Sequence, residues 1–148
     1  MDEAKIKAIV DTQKKWFAKG ASLSVERRLA ALKRLESVIV ACEAEIEEAL
    51  QKDLGKSPYE SYMCEIGMVK SEISYMRKHV RKFAREKWVM PSLAQFPAKA
   101  YQKPSPYGNV LIMSPWNYPF LLSIGPLVDA IAAGNTAVIK PSAYSPHT

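Results

Sequence analysis

Cysteine is scarce in this chain. Cys42 and Cys64 stand apart, in no C-x-x-C pair and with no histidine close by, which excludes a disulfide framework and a Cys/His metal centre. No stretch reaches 18 apolar residues without a charge, which excludes a membrane-spanning helix. The opening Met1-Asp2-Glu3-Ala4-Lys5 has no apolar signal core behind it, and a soluble protein of the reducing cytoplasm is expected. The six glycines form no G-x-G-x-x-G, so the usual phosphate-cradling loop after a first strand is missing. Charge is nearly absent from 104–148, which hold only Asp129 and Lys140; the first 103 residues therefore carry the whole surplus behind the net charge of +6. Internal repeats and low-complexity tracts are also missing.

What is present suffices for one domain with a sizeable core: 148 residues, 48% of them apolar. The first 88 residues read as helices. Ile6, Ile9, Val10 and Phe17 make one stripe, with Gly20 as its stop. Ser24 is the expected N-cap of a long helix with Val25, Leu29, Leu32, Leu35, Ile39, Cys42, Ile46 and Leu50 on its inner face, every step being three or four residues. Gly55 and Ser57-Pro58 break it. A third helix follows on Ile66, Val69, Ile73, Met76, Val80 and Phe83 and ends in basic residues. On these faces Cys42 and Cys64 are expected to be buried packing residues.

From Pro91 the character changes. Pro91, Pro97, Pro104 and Pro106 cannot lie inside a helix, and residues 98–103 between them read as an edge-type strand. Next come Asn109-Val110-Leu111-Ile112-Met113, a short apolar run suited to a parallel strand buried on both faces. A helix is expected from about Pro119 to Ala133, ending at Gly134, and then a second buried strand, Thr136-Ala137-Val138-Ile139-Lys140. The expected division is 1–90 helical, 91–107 an extended linker and oligomerisation strand, and 108–148 a strand–helix–strand unit. The fold class is α/β: a helical amino-terminal region followed by the start of a Rossmann-like parallel sheet, incomplete at two strands.

Two polar residues mark the carboxyl ends of those strands, where open α/β sheets place ligands. Asn117 lies in Ser114-Pro115-Trp116-Asn117-Tyr118-Pro119, and Lys140 ends an otherwise uncharged strand before Pro141. A side-chain amide at such a turn can donate to an oxyanion without giving up a proton, although asparagine also simply tolerates turns. An ammonium at the sheet edge suits a ribose hydroxyl or a phosphate, although a strand-end lysine also snorkels to solvent.

The run PYGNVLIMSPWNYP at 106–119, Gly125-Pro126-Leu127, AIAAGNT at 130–136 and VIKPS at 138–142 resemble the amino-terminal third of an NAD(P)-dependent aldehyde dehydrogenase. Asp53-Leu54-Gly55-Lys56-Ser57 and Glu72-Ile73-Ser74-Tyr75-Met76 resemble its class 3-like branch. The resemblance implies oxidation of an aldehyde to a carboxylic acid through a cysteine thiohemiacetal, with hydride passing to NAD or NADP. It makes Asn117 the oxyanion donor, Lys140 the ribose contact, and Met113, Ser114, Pro115 and Trp116 the strand-end lining of the dinucleotide. It also implies a homodimer. The family's Gly-Gln-x-Cys nucleophile and its glutamate base have no counterpart in this sequence, which is expected to be an inactive segment of a longer protein. Where the family often has Glu three residues after the ribose lysine, this sequence has Ala143, from which use of either cofactor is expected.

Two rivals remain at this point. Between Lys70 and Lys87 there are seven Lys or Arg against two Glu, which a nucleic-acid or acidic membrane-surface module could use; the alternative for that run is a solvated face opposite a core stripe. The chain could also be a separate, inactive interaction or decoy subunit.

Overall fold

The computed structural model describes residues 2–148. The chain runs through α1 (Glu3–Ala18), α2 (Val25–Ala41), α3 (Glu43–Leu54), α4 (Pro58–Ser61), a π-helical turn (Tyr62–Ile66) and α5 (Gly67–Phe83). It continues through β1 (Lys87–Val89), β2 (Ala100–Gln102), β3 (Asn109–Met113), α6 (Pro119–Ala133) and β4 (Thr136–Lys140).

Ser24 caps α2 as its sequence suggests, its hydroxyl accepting the Arg27 N–H at 3.4 Å. The single helix expected to reach Leu50 is instead two, divided at Cys42 (φ −102°, ψ 13°). Unbroken, it would run about 40 Å, past the core it has to cover. The break at Cys42 turns Ile46 and Leu50 back onto that core, and Glu43 and Glu45 favour a new amino terminus there. Leu32, Ile39, Leu50, Ile66, Val69, Ile73 and Val80 form one apolar cluster with Phe120, Val128 and Ala132 of α6. Each fully buried valine, leucine or isoleucine among them stabilises by about 1.5–3 kcal/mol. The cysteines depart from expectation: both are free and only half-buried, Cys42 at the α2–α3 joint and Cys64 in the π turn.

β1 and β2 pair antiparallel, Lys87 opposite Gln102 and Val89 opposite Ala100. The extended hairpin thus begins at Lys87, ahead of the prolines. β3 and β4 pair in parallel with α6 as the crossover, in a register running from Asn109↔Thr136 to Met113↔Lys140. The expectation that β3 is buried on both faces is not met: Ile112 is buried, but Leu111 and Met113 are 62% and 68% exposed. Alternation along the strand puts Asn109, Leu111 and Met113 on the face opposite α6. α1 covers only the start of that face, its Gln13 accepting from the Asn109 amide and donating to the Ala137 carbonyl at 2.9 Å.

Candidate active-site rim at the strand ends

The parallel register sets Met113 and Lys140 abreast at the carboxyl edge of the sheet, and the Ser114 N–H donates to the Lys140 carbonyl at 3.1 Å. Met113, Pro115, Trp116, Asn117 and Lys140 are exposed there. Among the described residues, Lys140 Nζ meets only the neighbouring Pro141 carbonyl, at 3.3 Å, so its ammonium projects from the edge with little to hold it. Ser114 behaves differently. It is buried and its hydroxyl donates to the Leu122 carbonyl of α6 at 3.3 Å, so its side chain braces the strand end from inside. At Asn117 the recorded contact is through the backbone carbonyl, and no hydrogen bond among the described residues engages its side-chain amide. Ala143 is exposed in the turn after Pro141.

The segment carrying Asn117 is held from beneath by two buried ionic side chains. Lys56, in the turn after α3, places Nζ 2.5 Å from Glu65 Oε1, 3.4 Å from the Asn117 carbonyl and 4.2 Å from the centre of the Tyr118 ring. Glu65, fully buried in the π turn, accepts the N–H groups of Phe120 and Leu121 on Oε2, at 2.9 and 3.0 Å. Pro119 opens α6 without an N–H, so these are the first donors that the helix presents. A carboxylate at a helix amino terminus is favoured by the macrodipole. It also closes that terminus to other anions: the α6 amino end, where a Rossmann sheet of the usual kind seats its pyrophosphate, is taken by Glu65. That accounts structurally for the missing glycine-rich loop.

The second strand end has its own brace. Asp53, at the end of α3, accepts the His147 and Thr148 N–H groups at 3.2 and 2.8 Å and the Thr148 hydroxyl at 2.8 Å. Desolvation opposes ionisation of this carboxyl, but the bonds from Thr148 and His147 together hold its pKa below the ordinary aspartate value. The short stretch from Asp53 to Glu65 therefore ties down the chain after β3 and after β4 alike.

The carboxyl end of α6 is capped with the opposite charge. Buried Arg28 of α2 donates to the Ala132 carbonyl at 3.2 Å, and to Ser22 and Leu23 at 2.8 and 3.0 Å. Asp129, on the same helix, is the exception to this complementarity. Desolvation and the adjacent Glu72 of α5 push its carboxyl up to about 6 from an ordinary 3.8. The folded protein therefore holds this proton more tightly than the unfolded chain does. The stabilisation is complete below the unfolded value and is lost as pH rises through about 6. Asp129→Asn in the full-length protein is expected to raise stability at neutral pH by about 1 kcal/mol, solvent screening included, and to leave it unchanged near pH 4. Denaturant titrations at the two pH values check this.

Sequence reasoning located Asn117 and Lys140 but passed over Lys56, Glu65, Asp53 and Arg28 as site-supporting groups. A signal existed for one of them: Glu65 sits beside Ile66 and four residues before Val69, a carboxylate on the inner side of an apolar stripe. Within the basic run from Lys70, Lys70 pairs with Glu43, Arg77 with Glu36, and Arg81 with Glu26 through both carboxylate oxygens. Glu26, Arg77 and Arg81 line a groove of about 600 Å³ between α2 and α5.

A parallel strand–helix–strand unit with polar groups at both carboxyl ends, set on a helical layer, is the α/β arrangement in which ligands sit at the strand ends. The sequence pattern described as "Aldehyde dehydrogenase family" matches residues 1–148, and the chain belongs to that family. It is 44% identical over 134 residues to the 4,4'-diaponeurosporen-aldehyde dehydrogenase of Staphylococcus aureus, covering 90% of this chain and 29% of that protein. It is 38% identical over 138 residues to the aldehyde dehydrogenase family 3 member H1 of Arabidopsis thaliana, covering 93% of this chain and 28% of that one. The solved substrate-bound state of Staphylococcus aureus AldH superimposes with a TM-score of 0.91 at 41% identity, over 99% of this chain and 32% of that one. The chain thus spans less than a third of the length of these relatives. Family membership displaces the nucleic-acid and membrane-surface reading of the basic helix. Among the described residues, no helix is long and apolar enough to cross a membrane, and no cluster of His, Cys, Asp or Glu is arranged to hold a metal.

Proposed function

We propose that this chain forms the cofactor-domain opening of an enzyme that oxidises aldehydes to carboxylic acids, with Asn117 as its oxyanion donor. The observation that carries the reading is the exposed Asn117 amide on a strand-end segment braced from beneath, within a chain of this family. NAD or NADP, when bound, accepts the hydride. This chain's part is to receive and orient. Met113, Pro115 and Trp116 offer an exposed lining, Ser114 fixes the strand end, and Lys140 reaches from its edge to a ribose hydroxyl. Asn117 donates to the aldehyde oxygen as negative charge gathers there, and the attacking thiol and the base belong to the rest of the full-length protein. We place that protein in the cytoplasm as a homodimer, with β2 as the strand nearest its interface.

The residues fit the dinucleotide on two counts: Lys140 is uncommitted, and the exposed side chains beside it present apolar surface to a flat ring system. The absence of a carboxylate at Ala143 removes repulsion toward a 2′-phosphate together with one ribose contact. The full-length protein, given an aldehyde, is expected to reduce both NAD and NADP. The ratio of the two kcat/KM values should stay below about 100, near 2.7 kcal/mol of discrimination. No aldehyde-dependent reduction with either cofactor would overturn the assignment, and a preference for NAD above that ratio would overturn the reading of Ala143.

A further inference from the structure

We propose that Lys56 and Glu65 act as positioning residues for the reaction, setting through one buried ion pair the direction in which the Asn117 amide points. The inference rests on the reading of Asn117 as oxyanion donor.

The contacts of the pair within the site fall on the Asn117 carbonyl, the Tyr118 ring and the first N–H groups of α6, all at or just after that residue. Glu65 uses its two oxygens differently, Oε1 for Lys56 and Oε2 for the N–H groups of Phe120 and Leu121. The first turn of α6 is therefore registered against the π turn. Lys56 then reaches back along the loop to the Asn117 carbonyl and lies over the Tyr118 ring. Tyr118 takes φ −138° and ψ 66°, outside the helical region, and is the one residue between Asn117 and the rigid Pro119. The direction of the Asn117 side chain follows from the peptide units on either side of it. The Lys56 ammonium touches one of those units and the ring of the next residue.

The extra residue of the π turn is part of this device. The Gly67 N–H reaches back five residues to the Tyr62 carbonyl, which widens the helix by one position and lets Glu65 and Ile66 both turn inward. Ile66 joins the apolar cluster while Glu65 meets the open end of α6. π-Bulges in helices recur at functional sites, and here the bulge delivers a charge to the loop that carries the reacting group.

An oxyanion donor stabilises only when it is aimed before the charge develops, and displacement by about an ångström costs on the order of 100-fold in rate. A group that aims Asn117 should therefore matter to turnover only while Asn117 is there to be aimed. The test is a double-mutant cycle in the full-length protein, with kcat and the dissociation constant for the dinucleotide measured separately. Lys56→Met keeps the apolar stem and leaves Glu65 bonded to two α6 amides. It is expected to lower kcat by roughly tenfold or more with Asn117 present and by less than about twofold in the Asn117→Ala background. The dissociation constant should move by less than about twofold in both. Lys56→Arg should recover most of the loss. Glu65→Gln repeats the cycle from the other side of the pair, so an unfolded Lys56→Met product does not stop the experiment.

Equal losses of kcat in the two backgrounds would overturn the inference, because the pair would then act on the enzyme without acting through Asn117. A loss that follows the dissociation constant would overturn it as well. If Asn117→Ala by itself retains wild-type turnover, the oxyanion reading fails and takes this inference with it; that result is separate from either of the others.

Discussion

Replacing Asn117 by Ala in the full-length protein is expected to lower turnover on the order of 100-fold or more while leaving its stability unchanged. Both halves follow from the same geometry. The side chain is exposed, with its amide bonded to none of the described residues, so its removal empties no cavity and orphans no partner. Surface changes of that kind stay within about 0.5 kcal/mol. Turnover is another matter. Loss of one preorganised oxyanion donor costs roughly 2.7–4 kcal/mol of transition-state stabilisation, and about 1.4 kcal/mol is a factor of ten. The dissociation constant for the dinucleotide should hold, since in the proposed role the amide serves the aldehyde oxygen and not the cofactor. Steady-state kinetics beside a denaturant titration reads both quantities. Wild-type kcat in Asn117→Ala would remove the assignment, and a large fall in stability would show that the amide has a structural partner.

The largest expected loss of stability from a single added methyl group is at Gly134, where α6 ends. Gly134 has φ +90°, and its N–H and that of Asn135 return to the Ile131 and Ala130 carbonyls at 3.0 and 2.8 Å. This is the paired closure in which glycine is the favoured residue. A side chain in the left-handed region costs about 1–2 kcal/mol. At this position the added Cβ would also stand 2.6 Å from the Arg28 guanidinium. Arg28 has little freedom to yield, because its three bonds to carbonyl oxygens fix it beneath the helix end. Charge-assisted bonds of this kind contribute about 1.5–3 kcal/mol each, and moving the guanidinium would weaken more than one. Gly134→Ala is therefore expected to cost about 3 kcal/mol or more. Gly55→Ala serves as the control: it has φ +69° with nothing within 4 Å of the added carbon, and should cost only the backbone part. Equal midpoints for the two variants would show that Arg28 does not restrict the site.

Much of the architecture was legible because it is written in short-range patterns. The threes and fours of Leu32, Ile39, Val69, Ile73 and Val80 mark the faces that form the core. Gly134 and Pro119 bound α6 where a helix-stopping glycine and a first-turn proline should. The apolar runs at 109–113 and 136–140 are the two parallel strands, and the polar residues at their ends were visible as a pair before any coordinate was known. The break at Cys42 was not legible, because the apolar stripe continues through it without a change of step. It is set by where the core ends, which no local period records. The exposed face of β3 was hidden for a similar reason: an apolar run shows that a strand can be covered on both sides but not what covers it.

The support of the site lies wholly on the far side of that divide. Composition and periodicity determined by themselves that the chain is α/β, that its helices bury one face each, and that Asn117 and Lys140 stand at adjacent strand ends. All three follow from residues within a few turns of one another. Tertiary structure alone decided that Glu65 closes the amino end of α6 from 55 residues away, that Arg28 closes the other end from 104 away, and that Lys56 lies under the Asn117 loop. A buried charge is tolerated only where a partner satisfies it, and those partners are brought within reach by the packing of the helical layer on α6, which only the folded chain possesses.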